Sequence, residues 1–295
     1  MSQASLLRLG LSVIINAVIV LFELTAGFLT GSLSLLSDAV HNLADVASLV
    51  LSFWSERLKM RSPTGRKTYG FKRAEVLAAF VNALILALVT VMIAKEAVVR
   101  LFQPTELPGG TIGIVAAVAL VGNSVAALLL RRHSHDNLNL RGAWLHTLQD
   151  ALFSLVVIVA AFLMRWLHWY ALDPILSLLL SLFILHAAYR LLRQAVHILM
   201  ESVPFDVDID DVRAAILALP SVQSFHDLHI WQTDSESRYL SIHVVTKAED
   251  EDNRKKLLRM IQKLMMERFK IGHTTIQMVG PDTENDVALP CEHCN

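Results

Sequence analysis

Cysteine is nearly absent. The 295 residues hold two, Cys291 and Cys294, both within the last five positions. A disulfide-stapled fold is therefore excluded. Twelve glycines and eight prolines follow no repeat, which excludes a collagen-like or low-complexity chain. Charge is scarce too: 18% of residues are Asp, Glu, Lys or Arg, against about 25% in an ordinary soluble domain. The net charge of −1 leaves no broad basic field, so a nucleic-acid partner is not expected. No H-E-x-x-H occurs, so the metalloprotease motif is missing. What the chain has in excess is apolar: 54% of residues are hydrophobic and the mean hydropathy is +0.48. That balance places it in the bilayer class.

The apolar residues are segregated. Six stretches approach the about 20 residues a spanning helix needs: Leu9–Thr30, Leu33–Phe53, Ala74–Val99, Ile112–Leu130, Trp144–Trp166 and Leu172–Leu192. The first carries Glu23 and is followed at once by a second, unlike a signal peptide. An even number puts both termini on one side. Lys and Arg crowd the segments after spans 2 and 4 (Arg57, Lys59, Arg61, Arg66, Lys67, Lys72, Arg73; then Arg131, Arg132, Arg141), so that side is expected to be cytoplasmic.

From Glu201 onward the rhythm changes. Val207–Leu219 has helical spacing, Ser224–Thr233 and Arg238–Thr246 alternate as strands, Glu249–Phe269 is an amphipathic helix, and Thr274–Val279 is a last strand. The expected fold is a polytopic α-helical membrane protein of six transmembrane helices, followed by a cytoplasmic α+β domain of order αββαβ, ferredoxin-like. The expected divisions are residues 1–203 for the membrane domain, 204–281 for the cytoplasmic domain and 282–295 for a polar tail. A sheet covered on one face leaves the other free, which suits a homodimer.

The informative residues are ionisable groups inside the apolar runs, where each charge costs about 2.5–3.5 kcal/mol even on the lenient insertion scale. Span 2 reads His41-Asn42-Leu43-Ala44-Asp45 and span 5 reads His146-Thr147-Leu148-Gln149-Asp150. In each, the His and Asp stand at i and i+4, on one face of a helix. Two such faces turned together present two imidazoles and two carboxylates. That set matches tetrahedral Zn2+, and the two carboxylates neutralise a divalent ion. The competing reading is a set of helix–helix polar contacts, worth about 0.6–2 kcal/mol each. Two identical pairs on two spans weigh for the metal. Glu23 and Asp38 are further buried acids, read either as proton relays or as hydrogen-bonding groups that orient spans 1 and 2. Lys72 or Arg73 is expected to pair with Asp206 or Asp208.

These residues resemble a known family, the cation diffusion facilitators. The resemblance covers nearly the whole chain: six spans, the two H-x-x-x-D pairs, Gly31-Ser32-Leu33-Ser34-Leu35-Leu36-Ser37-Asp38-Ala39, Tyr69-Gly70-Phe71-Lys72-Arg73-Ala74-Glu75, Leu172-Asp173-Pro174-Ile175 and the His229-Ile230-Trp231 strand. It implies a homodimeric exporter of Zn2+, extending to Cd2+ or Co2+, that exchanges metal for protons. Its transport site would be His41, Asp45, His146 and Asp150. It implies extra metal in the cytoplasmic domain, with His229, His243 and His273 as ligands. Val279 stands where some relatives carry an acid. Cys291-x-x-Cys294 is half a zinc site or simply part of a polar tail. The short loops suit a bacterial inner membrane. The alternative function is a membrane-embedded metal sensor using the cytoplasmic domain; an enzyme is not expected.

Overall fold

The computed structural model describes residues 3–131, 138–247 and 250–280. The chain divides into two compact units, Met1–Trp54 with Ala78–Leu192, and Ser55–Leu77 with Arg193–Asn295.

The first unit is built on α1 (Gln3–Thr30), α2 (Leu33–Lys59), α3 (Ala74–Phe102), α4 (Gly109–Arg131), α5 (Leu138–Leu167) and α6 (Leu172–Leu199). At about 1.5 Å per residue each is long enough for a hydrocarbon core of about 30 Å. The helices α2, α5 and α6 run beyond the apolar stretches read from sequence. Apolar patterning marks the part that meets lipid, whereas a helix continues through polar residues until its backbone is interrupted. Among the described residues, four helical segments are long and apolar enough to cross a membrane by composition: Ala74–Phe102, Gly109–Leu130, Trp144–Leu167 and Leu172–Leu199. Ile14–Thr30 of α1 is a shorter apolar helix. The sequence of α2 is diluted by Asp38, His41, Asn42 and Asp45.

Small residues set the packing. A β-carbon on Gly109 would come 2.8 Å from the Ala161 carbonyl oxygen, and one on Gly122 would come 2.6 Å from Ile19 Cδ1. Close backbone approach of this kind drives helix pairing where lipid removes the hydrophobic incentive. Along the seam, Ile112, Val115 and Ala116 of α4 pack on Val157, Ala161 and Met164 of α5, all buried. The opposite face of α4 exposes Ile114, Val118, Val121, Val125 and Leu128.

The second unit contains α7 (Ile209–Leu217), β1 (Val222–Gln232), β2 (Arg238–Thr246), α8 (Glu251–Phe269) and β3 (His273–Val279). Asp208 and Asp250 cap the two helices, each accepting from a first-turn backbone N–H. The sheet order is β1-β2-β3, with β1 antiparallel and β3 parallel to β2. A parallel neighbour needs a crossover, and α8 supplies it. Leu257, Ile261, Met265 and Phe269 recur every four residues on α8 and pack with Val212 and Ile216 of α7 on Leu240, Ile242 and Val244 of β2. The αββαβ order read from sequence is present.

The stretch 55–77 belongs to this unit. Lys72 Nζ donates to Ser237 Oγ and Tyr239 Oη, both at 3.0 Å, and the Tyr69 ring stands edge-on to Tyr239. Arg73 pairs with Glu201. The expected partners of Lys72 and Arg73, Asp206 and Asp208, are engaged otherwise. Asp208 caps α7, and Asp206 accepts twice from Arg238, at 2.9 and 2.8 Å. Arg238 donates to Phe269 O at 3.1 Å as well, so its guanidinium bridges the end of α8 and Asp206. Hydrogen bonding to Arg238 holds the Asp206 carboxyl below its usual range. A depressed carboxyl stabilises the fold above its unfolded pKa, about 3.9, and loses that contribution as pH falls through the folded value. Asp206→Asn should therefore unfold at a lower temperature than the parent at neutral pH, and the two melting curves should converge below about pH 4. A gap that persists in acid would assign the difference to something other than this ion pair.

Candidate metal centre

The helix period puts His41 and Asp45 on one face of α2, and His146 and Asp150 on one face of α5. The first unit turns these faces together. His146 Nε2 lies 2.9 Å from Asp45 Oδ2, His41 Nε2 lies 3.8 Å from the same oxygen, and Asp150 Oδ2 lies 3.7 Å from His146 Nε2. The two imidazoles meet edge to face, with centroids 5.7 Å apart. One ligand atom from each of His41, His146 and Asp150 falls within 4.8 Å of the others. In a tetrahedral zinc site with bonds of about 2.0–2.1 Å, neighbouring ligand atoms stand about 3.3 Å apart. His41, His146 and Asp150 are grouped within reach of that spacing, and Asp45 joins them through its contacts to the two imidazoles.

Two features bear on the chemistry. Asp150 is 4% exposed, and its Oδ2 has no hydrogen-bond partner. An orphaned carboxylate oxygen away from water is costly, and a cation relieves it. The second is the His146–Asp45 bond. An ionised carboxylate only accepts, so His146 Nε2 carries the proton in that state. The lone pair a metal needs is therefore occupied by hydrogen, and a metal ion must displace that proton or shift it to the other ring nitrogen.

Glu23 and Asp38 are both almost fully buried. Asn42 Nδ2 donates to Glu23 Oε2 at 3.2 Å, which ties α1 to α2, while Glu23 Oε1 has no partner.

In the second unit, His243 is grouped with two residues the sequence reading did not select. Its Nδ1 lies 3.2 Å from His226 Nε2 and 3.6 Å from Asp227 Oδ2. His229 pairs across the sheet with Ser241 and is exposed. His273 opens β3 beside Tyr239 and Tyr69. The cause is a register irregularity between His226 and His229. Pairing continued from His229 and Ser241 would set Asp227 opposite His243; the irregularity sets His226 there and leaves Asp227 at a φ of 52°. Strand alternation alone does not reveal such a bulge. The one sequence signal was the adjacent His226-Asp227 pair facing a strand that holds His243. Cys291 and Cys294 lie outside the described residues. The same unit holds a cleft of about 1010 Å3 lined by Arg66, Lys67, Lys72 and Arg73 together with Glu201 and His229.

Residues 9–200 match the family described as the cation efflux transmembrane domain, and residues 204–279 match the cation efflux protein cytoplasmic domain. Among known proteins, the chain is 39% identical to zinc transporter ZitB of Escherichia coli over 276 residues, covering 91% of this chain and 87% of that one. It is 33% identical to the metal cation efflux system protein CzcD of Cupriavidus metallidurans, covering 95% and 89%. It is 35% identical to the cadmium, cobalt and zinc/H(+)-K(+) antiporter of Bacillus subtilis, covering 92% and 88%. With both domains matched in order, this chain belongs to the cation efflux family of multi-pass membrane transporters that move metal cations.

Proposed function

We propose that this chain exports Zn2+ from the cytoplasm in exchange for protons, through one intramembrane site made of His41, Asp45, His146 and Asp150. One observation carries the reading. Two His/Asp pairs at helical spacing converge from α2 and α5, and they bring with them a buried carboxylate oxygen, Asp150 Oδ2, that accepts no hydrogen bond among the described residues. The relatives named for zinc transport and for cadmium, cobalt and zinc exchange with protons and potassium support the cargo and a proton counter-ion, with Cd2+ and Co2+ as further substrates.

Proton coupling follows from the ligands. Zn2+ needs neutral imidazoles and ionised carboxylates, so metal and protons compete for the same atoms. On the cytoplasmic side Zn2+ displaces the His146 Nε2 proton and takes Asp45 and Asp150 as neutralising ligands. On the far side protons reclaim the ligands and release the ion. The empty site returns protonated, which avoids carrying bare carboxylates through the bilayer. In proteoliposomes an imposed proton gradient should accelerate zinc flux in one direction and slow it in the other. Flux indifferent to that gradient would defeat the exchange.

The charge bias supports cytoplasmic termini, and the bacterial relatives support a bacterial membrane. The divisions at residues 203 and 281, and a homodimer formed through the cytoplasmic domain, belong to the same proposal. His226, Asp227 and His243 offer that domain a three-ligand zinc position, with a fourth ligand still to be supplied. His226→Ala should lower the zinc bound per full-length chain while His41, Asp45, His146 and Asp150 still load. An unchanged metal-to-protein ratio would dismiss the position.

A further inference from the structure

The first turn of any helix leaves backbone N–H groups without partners, and in a bilayer no water can satisfy them. In α2 each is met. Leu33 N donates to Asp173 Oδ2 at 2.7 Å and Ser34 N to Asp173 Oδ1 at 3.2 Å. Leu35 N donates to Ser32 Oγ at 3.3 Å, and Leu36 N to Ser32 O at 3.2 Å. The hydroxyls of Ser32 and Ser34 also donate to Asp173 Oδ1. The carboxylate thus takes four hydrogen bonds, is 0% exposed, and comes from the first turn of a different helix, α6. One turn further along both helices, Ser37 Oγ and Ser177 Oγ stand 2.7 Å apart. On the other side of the turn, Arg100 of α3 donates to Gly31 O.

We propose that Asp173 is a positioning residue that fixes the first turn of α2 on α6, so that the metal ligands of α2 swing about a stationary end. This rests on the reading that His41 and Asp45 hold the ion. His41 lies about 12 Å and Asp45 about 18 Å along the helix from Leu33. A tilt of about 10° about that end moves them by about 2 and 3 Å, an estimate from the helix rise. Metal–ligand distances tolerate only about 0.2 Å, so a tilt of this size makes or breaks the site while the anchored turn stays in place.

The test uses the full chain in proteoliposomes. In Asp173→Asn the zinc KM is expected to rise about tenfold, which corresponds to about 1.4 kcal/mol of binding lost to holding α2 in place. A merely structural role would lower the amount of active protein, and with it the maximal rate, at unchanged KM. Adding Ser37→Cys with Ser177→Cys and oxidising the pair should bring KM back to within about twofold of the parent, with the parent chain given the same oxidant as control. In a chain that keeps Asp173, the same disulfide should leave turnover intact. Three results would each overturn the proposal: an unchanged KM in Asp173→Asn, a disulfide verified by mass that fails to restore KM, or a disulfide that stops turnover in the presence of Asp173. If Asp173→Asn does not accumulate, Ser32→Ala with Ser34→Ala removes two of the four bonds and carries the same expectation. Asp45→Ala run in parallel separates the two ideas. Parent-like flux there would sink the metal site, whereas a failed rescue beside an inactive Asp45→Ala would sink only the anchor.

Discussion

Asp45→Ala and Asp150→Ala are each expected to abolish zinc flux, by on the order of 100-fold or more, while the protein still inserts and assembles. Each carboxylate supplies one of the two negative charges that offset a divalent ion in a medium of low dielectric. Removing either leaves an uncompensated positive charge. The two variants should differ in stability. Asp45 hydrogen-bonds His146 in the metal-free protein, so its loss strips the imidazole of a partner. Asp150 Oδ2 has no hydrogen-bond partner, so its loss relieves a buried orphan. Without metal, Asp150→Ala should therefore melt no lower than the parent, and Asp45→Ala should melt lower. Thermal unfolding in detergent with chelator, beside flux in liposomes, reads both. Parent-like flux in either variant removes that residue from the site.

His41→Asp is expected to keep transport but to shrink the preference for zinc over cadmium by about tenfold. Imidazole offers one lone pair in a fixed direction and suits four-coordinate zinc. A carboxylate can chelate with both oxygens and raise the coordination number, which a larger cation accepts more readily. The His41 side chain is 26% exposed and its nearest charged neighbour is Asp45, so the exchange sets two carboxylates side by side at the edge of the site. Competition between the two metals in the same vesicles measures the ratio. An unchanged ratio would mean that selectivity is set elsewhere than at this ligand.

Much of the fold was legible because its signals are local. Runs of apolar residues mark the helices of the first unit, and alternation followed by a four-residue stripe marks the sheet and α8 of the second. The H-x-x-x-D pairs were legible for the same reason: i and i+4 share a helix face whatever surrounds them. What stayed hidden depends on contacts distant in sequence. His226 and Asp227 join His243 only through an irregular register. Asp173 reads as an ordinary first-turn acid of α6 until Ser32, Leu33 and Ser34 are seen to donate to it. Lys72 has several acidic residues to choose from on paper, and in space it meets two hydroxyls instead.

The seam of Gly109 and Ala161 carries a consequence for variation along α4. At Gly109 there is no room for a further carbon, since the nearest obstacle is a backbone oxygen that cannot rotate away, and at Gly122 a further carbon would press on Ile19. The other side is an exposed row of Ile114, Val118, Val121, Val125 and Leu128. A saturation library should tolerate any oily side chain on the second row and almost none on the first. Read in order of position, tolerance would rise and fall every three to four residues and trace the helix out without a diffraction pattern.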